Sequence, residues 1–491
     1  MEIKLAGYNV ETEVLEQWIE SSGTPSYPLT PETISAAYAR ISRSSKDVTS
    51  LRKEAREDVK TARKSNHRII FDMSHHSVAE HAVFNFDIIG VSRLALEEIE
   101  KFRLVSYTEK SQRYVTLNGD YVLPSEIAET DSKSRDMFKE MVRVQNAFYN
   151  KSFTMLKDYL FDTYPELTKK KSDQNSLEGC AKEDARYILA LATEGQVGMT
   201  INARNLEHLF RRFALSQREE VRKIGRTMYE QVKPITPSLL LFPTPSAFET
   251  DLTDSFKQHC SIYKTEGQVS REPTLLFHTE NGDDIILASL LSISNGMDFS
   301  TAREIVSRMA LTEKEAIFKE LFQHMEFFDA PPREFELADI TFQAVISASN
   351  FAQLKRHRMA TVMAGDYNIA YGNVIPENIK TVGLENEFNR IISETNAVYK
   401  KLKEKYGLAA DYMLTNSHCR QVIMKMNLRE FYHFIRLRSD GHAQWDIRNL
   451  ADTLLRKVKE VMPLSSMVLC GKSDFVTVFE QIYHRKPSFQ I

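Results

Sequence analysis

Residues 427–438 read NLREFYHFIRLR, and residues 202–213 read NARNLEHLFRRF. Each opens on Asn, and each sets Arg and His four places apart: Arg429 with His433, and Arg204 with His208. On a helix, positions i and i+4 share one face. The offset between these two stretches is 225 residues. Two more pairs keep the same order. Glu80 in VAEHAVFNF answers Glu336 in EFELADITF at an offset of 256, and Arg103 in KFR answers Arg358 in RHR at 255. Three matches in one order, with the same kinds of element around them, predict one domain written twice. The fall from 255 to 225 makes the second copy about thirty residues shorter between its last two motifs. The polar stretch 164–180, with its run Lys169-Lys170-Lys171, is the expected source of the excess.

The chain of 491 residues is long enough for several domains, and its 42% apolar and 27% charged residues are globular values. Only 17 glycines and 15 prolines interrupt it, so helix should dominate. A net charge of −3 gives no footprint for a nucleic-acid polymer. No stretch nears the 18 apolar residues of a membrane span, and the first residues lack a signal-peptide core. Cys180, Cys260, Cys419 and Cys470 form no CxxC pair, so neither zinc nor a disulfide framework is expected and a reducing cytoplasm fits. There is no G-x-G-x-x-G turn, and Gly471-Lys472-Ser473 lacks the earlier glycine of a phosphate loop.

The pattern predicts a strand at 82–90, a helix at 92–103, a polar and aromatic stretch YTEKSQRYV with no helical period, a long helix at 134–160 and a polar loop at 164–180. Helices follow from 183 to 232. A cluster of prolines from Pro234 to Pro245 marks a boundary near 245. The second half replays this order with helices in 299–328, a strand at 338–346, a helix ending in KRHR at 355–358, a long helix at 388–405, one from about 428 and a last at 443–461. In HHSVAEH, Ser77 and Glu80 have capping-box spacing. The second-copy helix carries Arg429, His433, Arg436 and Arg438 with little acid nearby except Glu430, a composition suited to a phosphate. With net charge near zero, a small nucleotide fits better than a polymer.

The stretch GVSRLALEEIEKFRLVSYTEKSQRY, 90–114, resembles the signature of the flavin-dependent thymidylate synthases. That signature is an SR, a helix, a Gln three residues before R-H-R, then S, E, S and R-Y. HHSVAEHAVFNF before it, and QLKRHR and MNLREFYHFIRLRSDGHAQWDI in the second half, match the same family. The resemblance implies an α+β fold in two tandem copies, each a sheet packed with long helices. The first copy is 1–245, a connector runs 246–280, and the second copy is 281–491. It also implies a homodimer arranged as a pseudo-tetramer.

Each copy departs from the signature differently. In the first, Lys101-Phe102 replaces Arg-His, Glu98 replaces the Gln, and Phe213 stands where the family has its catalytic arginine. In the second, the E-x-S-x-R-Y loop has become Ala364, Asp366, Asn368 and Ile369, and Asp411 stands at the position of Arg186. By resemblance, Gln353, Arg356 and Arg438 from the second copy and Glu109, Ser111, Gln112, Arg113 and Arg186 from the first form one competent substrate site. The reciprocal set would be dead. The implied catalytic residues are Arg438, which meets the pyrimidine, and Ser111. Flavin adenine dinucleotide (FAD) is expected on Ser77, Glu109, Arg356, His357, Arg358, Asn427, Arg429 and His433, with Asn202, Arg204 and His208 as first-copy equivalents. The implied reaction converts dUMP to dTMP, with methylenetetrahydrofolate as carbon donor and NADPH as reductant of the flavin. No nucleic acid, membrane or metal is expected to take part. The alternative is a divergent, non-catalytic binder of flavin or nucleotide.

Overall fold

The computed structural model describes residues 1–21, 27–112, 115, 117, 119–260, 263 and 270–489. They divide into two compact units. Unit 1 comprises Met1–Glu266 with Glu377–Thr415, and unit 2 comprises Gly267–Pro376 with Asn416–Ile491. The segment 377–415 therefore packs with the first half of the sequence rather than the second.

Each unit holds a four-stranded antiparallel sheet. In unit 1 the strands are β1 (Glu2–Tyr8), β2 (Val83–Ser92), β3 (Ser106–Glu109) and β4 (Glu194–Asn202), in spatial order β1-β2-β4-β3. In unit 2 they are β5 (Thr274–His278), β6 (Asp339–Ser347), β7 (Thr361–Tyr367) and β8 (Cys419–Asn427), in order β5-β6-β8-β7. The topology is the same. The central registers also agree, since Val83 faces Asn202 and Asp339 faces Asn427. This is the α+β duplication expected from the repeat.

The pairings explain why the offset falls from 256 to 255. β2 carries one residue more than β6, at an irregularity between Ile89 and Val91 where Gly90 adopts φ +69°. That left-handed value suits glycine, and β6 pairs with β8 with no such break.

Alternation builds both cores. Phe84, Phe86 and Ile88 of β2 and Val197, Met199 and Ile201 of β4 are buried on one face. Leu206, Leu209 and Phe210 of the Ala203–Ala214 helix pack into the same cluster. In unit 2, Ile340, Phe342, Val422, Met424 and Met426 meet Phe431, Phe434 and Ile435 of the Leu428–Arg438 helix. The strand-to-helix corners are capped alike. Ser92 and Ser347 accept from Ala95 and Asn350 backbone N–H groups, and Asn202 and Asn427 accept from those of Asn205 and Glu430.

Unit 1 also brings together the long helices of both sequence halves, Ser132–Thr163 and Glu385–Tyr406. Fully buried Gln145 donates to Thr395 Oγ1 at 3.0 Å and to the Met413 carbonyl at 3.2 Å, and Phe148 meets Phe388 edge-on. Beside them, the backbone of Leu191 and Ala192 donates to the carbonyls of Leu414 and Tyr412.

Three expectations are corrected. Residues 164–180 are not a loop throughout: a short turn at Leu167–Lys169 leads into a helix, Lys171–Ala185, whose Leu177, Ala181 and Ala185 are buried. The stretch 183–232 is not helical throughout, because β4 interrupts it. Ser77 and Glu80 form no capping box. They lie in a 3-10 turn, His76–His81, without a side-chain cap, and Glu80 instead binds Arg204.

Candidate functional site

In unit 2, two turns converge. The short helix Ala348–Leu354, capped by Ser347, ends at Arg356-His357-Arg358. The Leu428–Arg438 helix ends at Arg438. Arg438 Nε donates to His357 Nε2 at 2.9 Å, Nη1 donates to Gln353 Oε1 at 3.1 Å, and Nη2 donates to the Gln353 carbonyl at 3.1 Å. Gln353 and His357 are buried, Arg438 is half-buried, and Arg356 and Arg358 are exposed. Glu430 Oε1 stands 3.5 Å from His357 Nδ1. Burial holds the His357 imidazole below its ordinary value, the Arg438 charge adds to this, and Glu430 opposes it. His433 is exposed, with its ring 5.8 Å from that of His357. Of the expected residues in this half, Gln353, His357 and Arg438 are in direct contact.

Asn427 and Arg429 carry structural duties as well. Asn427 Oδ1 caps its helix, which leaves its amide N–H groups. Arg429 Nε donates to the Pro331 carbonyl at 2.8 Å, and Nη1 lies 3.4 Å from Glu336. The matched pair in unit 1 is Arg204 with Glu80 at 2.5 Å. The two glutamates that marked the repeat thus each hold the arginine that marked it. Arg436, by contrast, is spent on backbone carbonyls of Glu326, Phe327 and Asp329.

In unit 1, Glu109 ends β3 and Ser111 and Gln112 follow it, all three half-buried. Arg93 Nη1 lies 3.8 Å from Glu109, and Arg93 also reaches Glu97 at 3.6 Å. Arg113 lies outside the described residues. Arg186 is 4% exposed and opens a 3-10 turn. Ser77 is exposed. His208 is exposed too, and its Nδ1 lies 2.8 Å from Arg211 Nη2.

The positions of unit 1 that align with the Arg438 cluster have been rebuilt. Phe213 takes the place of Arg438 and Phe102 that of His357, and the two rings meet at 6.0 Å, tilted edge-on. Glu98, in the place of Gln353, binds Lys101 with both oxygens at 2.8 Å. Fully buried Asp411 takes Arg218 at 2.7 Å, Lys403 at 2.9 Å and the Tyr399 hydroxyl at 3.3 Å. Arg218 also lies 3.7 Å from Glu98. Glu98, Lys101, Phe102, Phe213 and Arg218 border a cavity of about 190 Å³ that also touches Arg212, Val221 and Leu408.

Sequence reasoning missed the acids behind these corners. Glu220 accepts from the Ser92 backbone at 2.8 Å, its hydroxyl at 2.6 Å and the Tyr412 hydroxyl at 2.7 Å. Asp446 accepts from the Ser347 hydroxyl at 2.5 Å and the Asn350 amide at 3.0 Å. Their shared place, just inside a helix start of each half, was the available signal. Burial pushes the Cys419 and Cys470 thiols up to about 12, while Cys180 and Cys260 are exposed. Among the described residues no helix is long and apolar enough to cross a membrane.

The family model described as thymidylate synthase complementing protein matches twice, over residues 26–238 and 274–464. The chain is 25% identical over 433 residues to UPF0159 protein Ta1429 of Thermoplasma acidophilum, spanning 81% of this chain and 86% of that one. It is 30% identical over 223 residues to a flavin-dependent thymidylate synthase of Clostridium tetani, spanning 45% of this chain and 85% of that protein. A flavin-dependent thymidylate synthase of Geobacter sulfurreducens is 30% identical over 213 residues, 43% of this chain and 80% of its own length. The first of these relatives parallels both halves, and the other two are matched by less than half of the chain.

Proposed function

The chain belongs to the thymidylate synthase complementing protein family, and we propose that it converts dUMP to dTMP, with methylenetetrahydrofolate as carbon donor, NADPH as reductant and residues of both halves contributing. The observation that carries this reading is Arg438, kept and anchored by Gln353 and His357 where the other half has Phe213. A uracil ring is a poor carbon nucleophile. A fixed guanidinium at its polar edge stabilises the negative charge of the activated ring, the electron-rich form from which C5 attacks. Arg438 takes that role. Gln353 orients the base, and Arg356, Arg186 and Arg113 neutralise the phosphate, with Glu109, Ser111 and Gln112 completing its hydrogen bonds. The two thiols of unit 2, Cys419 and Cys470, are buried and held protonated, which disfavours cysteine attack on the ring.

FAD, when bound, supplies the hydride. The donor set fits a flavin diphosphate, because Arg356, Arg358 and His433 are exposed beside the cluster and Arg429 and Asn427 retain N–H groups beyond their structural bonds. Ser77 is the remaining exposed hydroxyl of this set. In unit 1, Asn202, Arg204 and His208 are the equivalent flavin contacts. The protein would work as a homodimer in the cytoplasm.

The rebuilt cluster of unit 1 supports a second reading of the chain, a divergent, non-catalytic binder of flavin or nucleotide. Two measurements decide between them. Bound flavin absorbs near roughly 450 nm, and growth of a thymidine-requiring strain carrying this chain tests thymidylate formation. Flavin without rescue would leave a binding protein; rescue lost with Arg438→Ala would establish the enzyme.

A further inference from the structure

We infer that Glu430, His357 and Arg438 act as one positioning chain, in which a neutral His357 fixes the guanidinium of Arg438 by accepting from its Nε. The inference rests on the proposed role of Arg438. Geometry is the first support. An arginine Nε–H can only donate, so at 2.9 Å His357 Nε2 must be the acceptor. The ring proton then sits on Nδ1, facing Glu430 at 3.5 Å. His357 is 4% exposed and is wedged edge-on against Phe434 at 5.0 Å, so the ring cannot turn freely. The charged and titratable groups that face it are Glu430, Arg438 and His433, all from the Leu428–Arg438 helix. A protonated ring would turn a second N–H against Arg438, and burial favours the neutral form.

The second support is independent of geometry. In unit 1 the three aligned positions are Asn205, Phe102 and Phe213. Acid, imidazole and guanidinium are all gone together. Asn205 has turned its amide to Asn202 at 2.9 Å, and the two phenylalanines pack on each other. Had His357 served only the fold or only a cofactor, nothing would tie its loss to that of Arg438. A guanidinium on a long side chain needs anchors to hold one plane. Gln353 supplies two bonds, one of them from the side chain proposed to orient the base, so His357 is a side-chain anchor that no proposed substrate contact competes for.

The test uses the full-length protein and the variants His357→Phe, His357→Gln and Glu430→Gln. Flavin content, kcat, KM for dUMP and ¹⁵N spectra of the histidine and arginine side chains are measured. The wild type should show His357 neutral with its proton on Nδ1. Read per bound flavin, His357→Phe should hold KM within about threefold and lose about 100-fold in kcat. His357→Gln, whose amide oxygen can accept the same bond, should recover to within about tenfold of wild type. Glu430→Gln should shift the Arg438 Nε resonance and lower kcat less than His357→Phe. A charged His357 at pH 7.5, a proton on Nε2, an unchanged kcat in His357→Phe, or a loss of kcat that follows lost flavin would each overturn the inference. If the wild type forms no thymidylate, the proposed function fails instead, and the tautomer with the Arg438 Nε shift still decides this point.

Discussion

Unit 2 keeps a cation at position 438 and surrounds it with acceptors: Gln353 twice and His357 once. Unit 1 places Phe213 at the aligned position, packs it on Phe102, and moves its charges into a buried pair, Arg218 with Asp411. The sheets beneath are the same in order and in central register. So the divergence lies in the partners and not in the scaffold. In unit 1 each substituted side chain meets another substituted side chain, ring on ring and cation on anion. A neglected site would leave buried charge unmatched, which is costly. The first copy thus lacks the guanidinium, and its surroundings are re-paired in ways that keep unit 1 stable.

The largest effect should come from breaking that re-pairing. Asp411→Ala leaves Arg218, 8% exposed, and Lys403 facing an empty acceptor position. The expected loss is about 3–5 kcal/mol of stability, read from urea unfolding. Replacing the pair together, Arg218→Met with Asp411→Leu, should cost clearly less, because no charge is then buried alone. Equal losses in the single and double variants would show that the pair is not what stabilises unit 1.

In unit 2, Arg438→Ala should fold normally, since that side chain is half-buried. Turnover of dUMP should fall by about 10²–10³-fold or more. Normal turnover would end the assignment of unit 2 as the half that polarises the base.

How much of this contrast could be read beforehand follows from what kind of interaction each part is. The cluster of Gln353, His357 and Arg438 was legible because its members lie in two short stretches with fixed spacing. The presence of Asp411 at the position of Arg186 was legible too, but not its answer. Arg218 lies 193 residues away, and only tertiary structure brings them together. In the fold, β2 and β6 alternate strongly and could be read. β4 was hidden because Gly195 and Gly198 break its alternation between two helices. The Lys171–Ala185 helix was hidden because its composition is charged and even its buried end carries Lys182, Glu183 and Asp184. Edge strand β3 is short and edge strands β1, β5 and β7 are irregularly paired, and their place is set by the central strands they border.

A smaller effect concerns pH and separates the two halves, since only unit 2 has an imidazole here. His357 is held below its ordinary value of 6.5, chiefly by burial. Above 6.5 both folded and unfolded forms are neutral, and this group adds no pH dependence. As pH falls through 6.5 the unfolded chain takes up the proton first, so stability falls with falling pH until the native ring also protonates. The slope is at most about 1.4 kcal/mol per pH unit. The protein carries 13 histidines, so the measurement is the difference between wild type and His357→Gln across pH 5–8. That difference should be flat above 6.5 and should grow below it. A difference that does not change with pH would show that the native ring binds protons as the unfolded one does.

The smallest effect should come from Phe213→Leu. Phe213 is 3% exposed, touches Phe102 at 6.0 Å between ring centres, and sits with its Cβ about 3.0 Å from where a side chain on Gly225 would begin. A smaller apolar side chain there loses some packing, about 1 kcal/mol, and introduces no unpaired group. Turnover should stay within about twofold of wild type, because the position no longer offers charge to a substrate. Alanine is the poorer probe, since a cavity of phenylalanine size would cost several times more and confuse loss of fold with loss of activity. If Phe213→Leu folded with unchanged flavin and yet lost turnover more than tenfold, the rebuilt cluster of unit 1 would be shaping the chemistry, and the division into one working half and one retired half would fall.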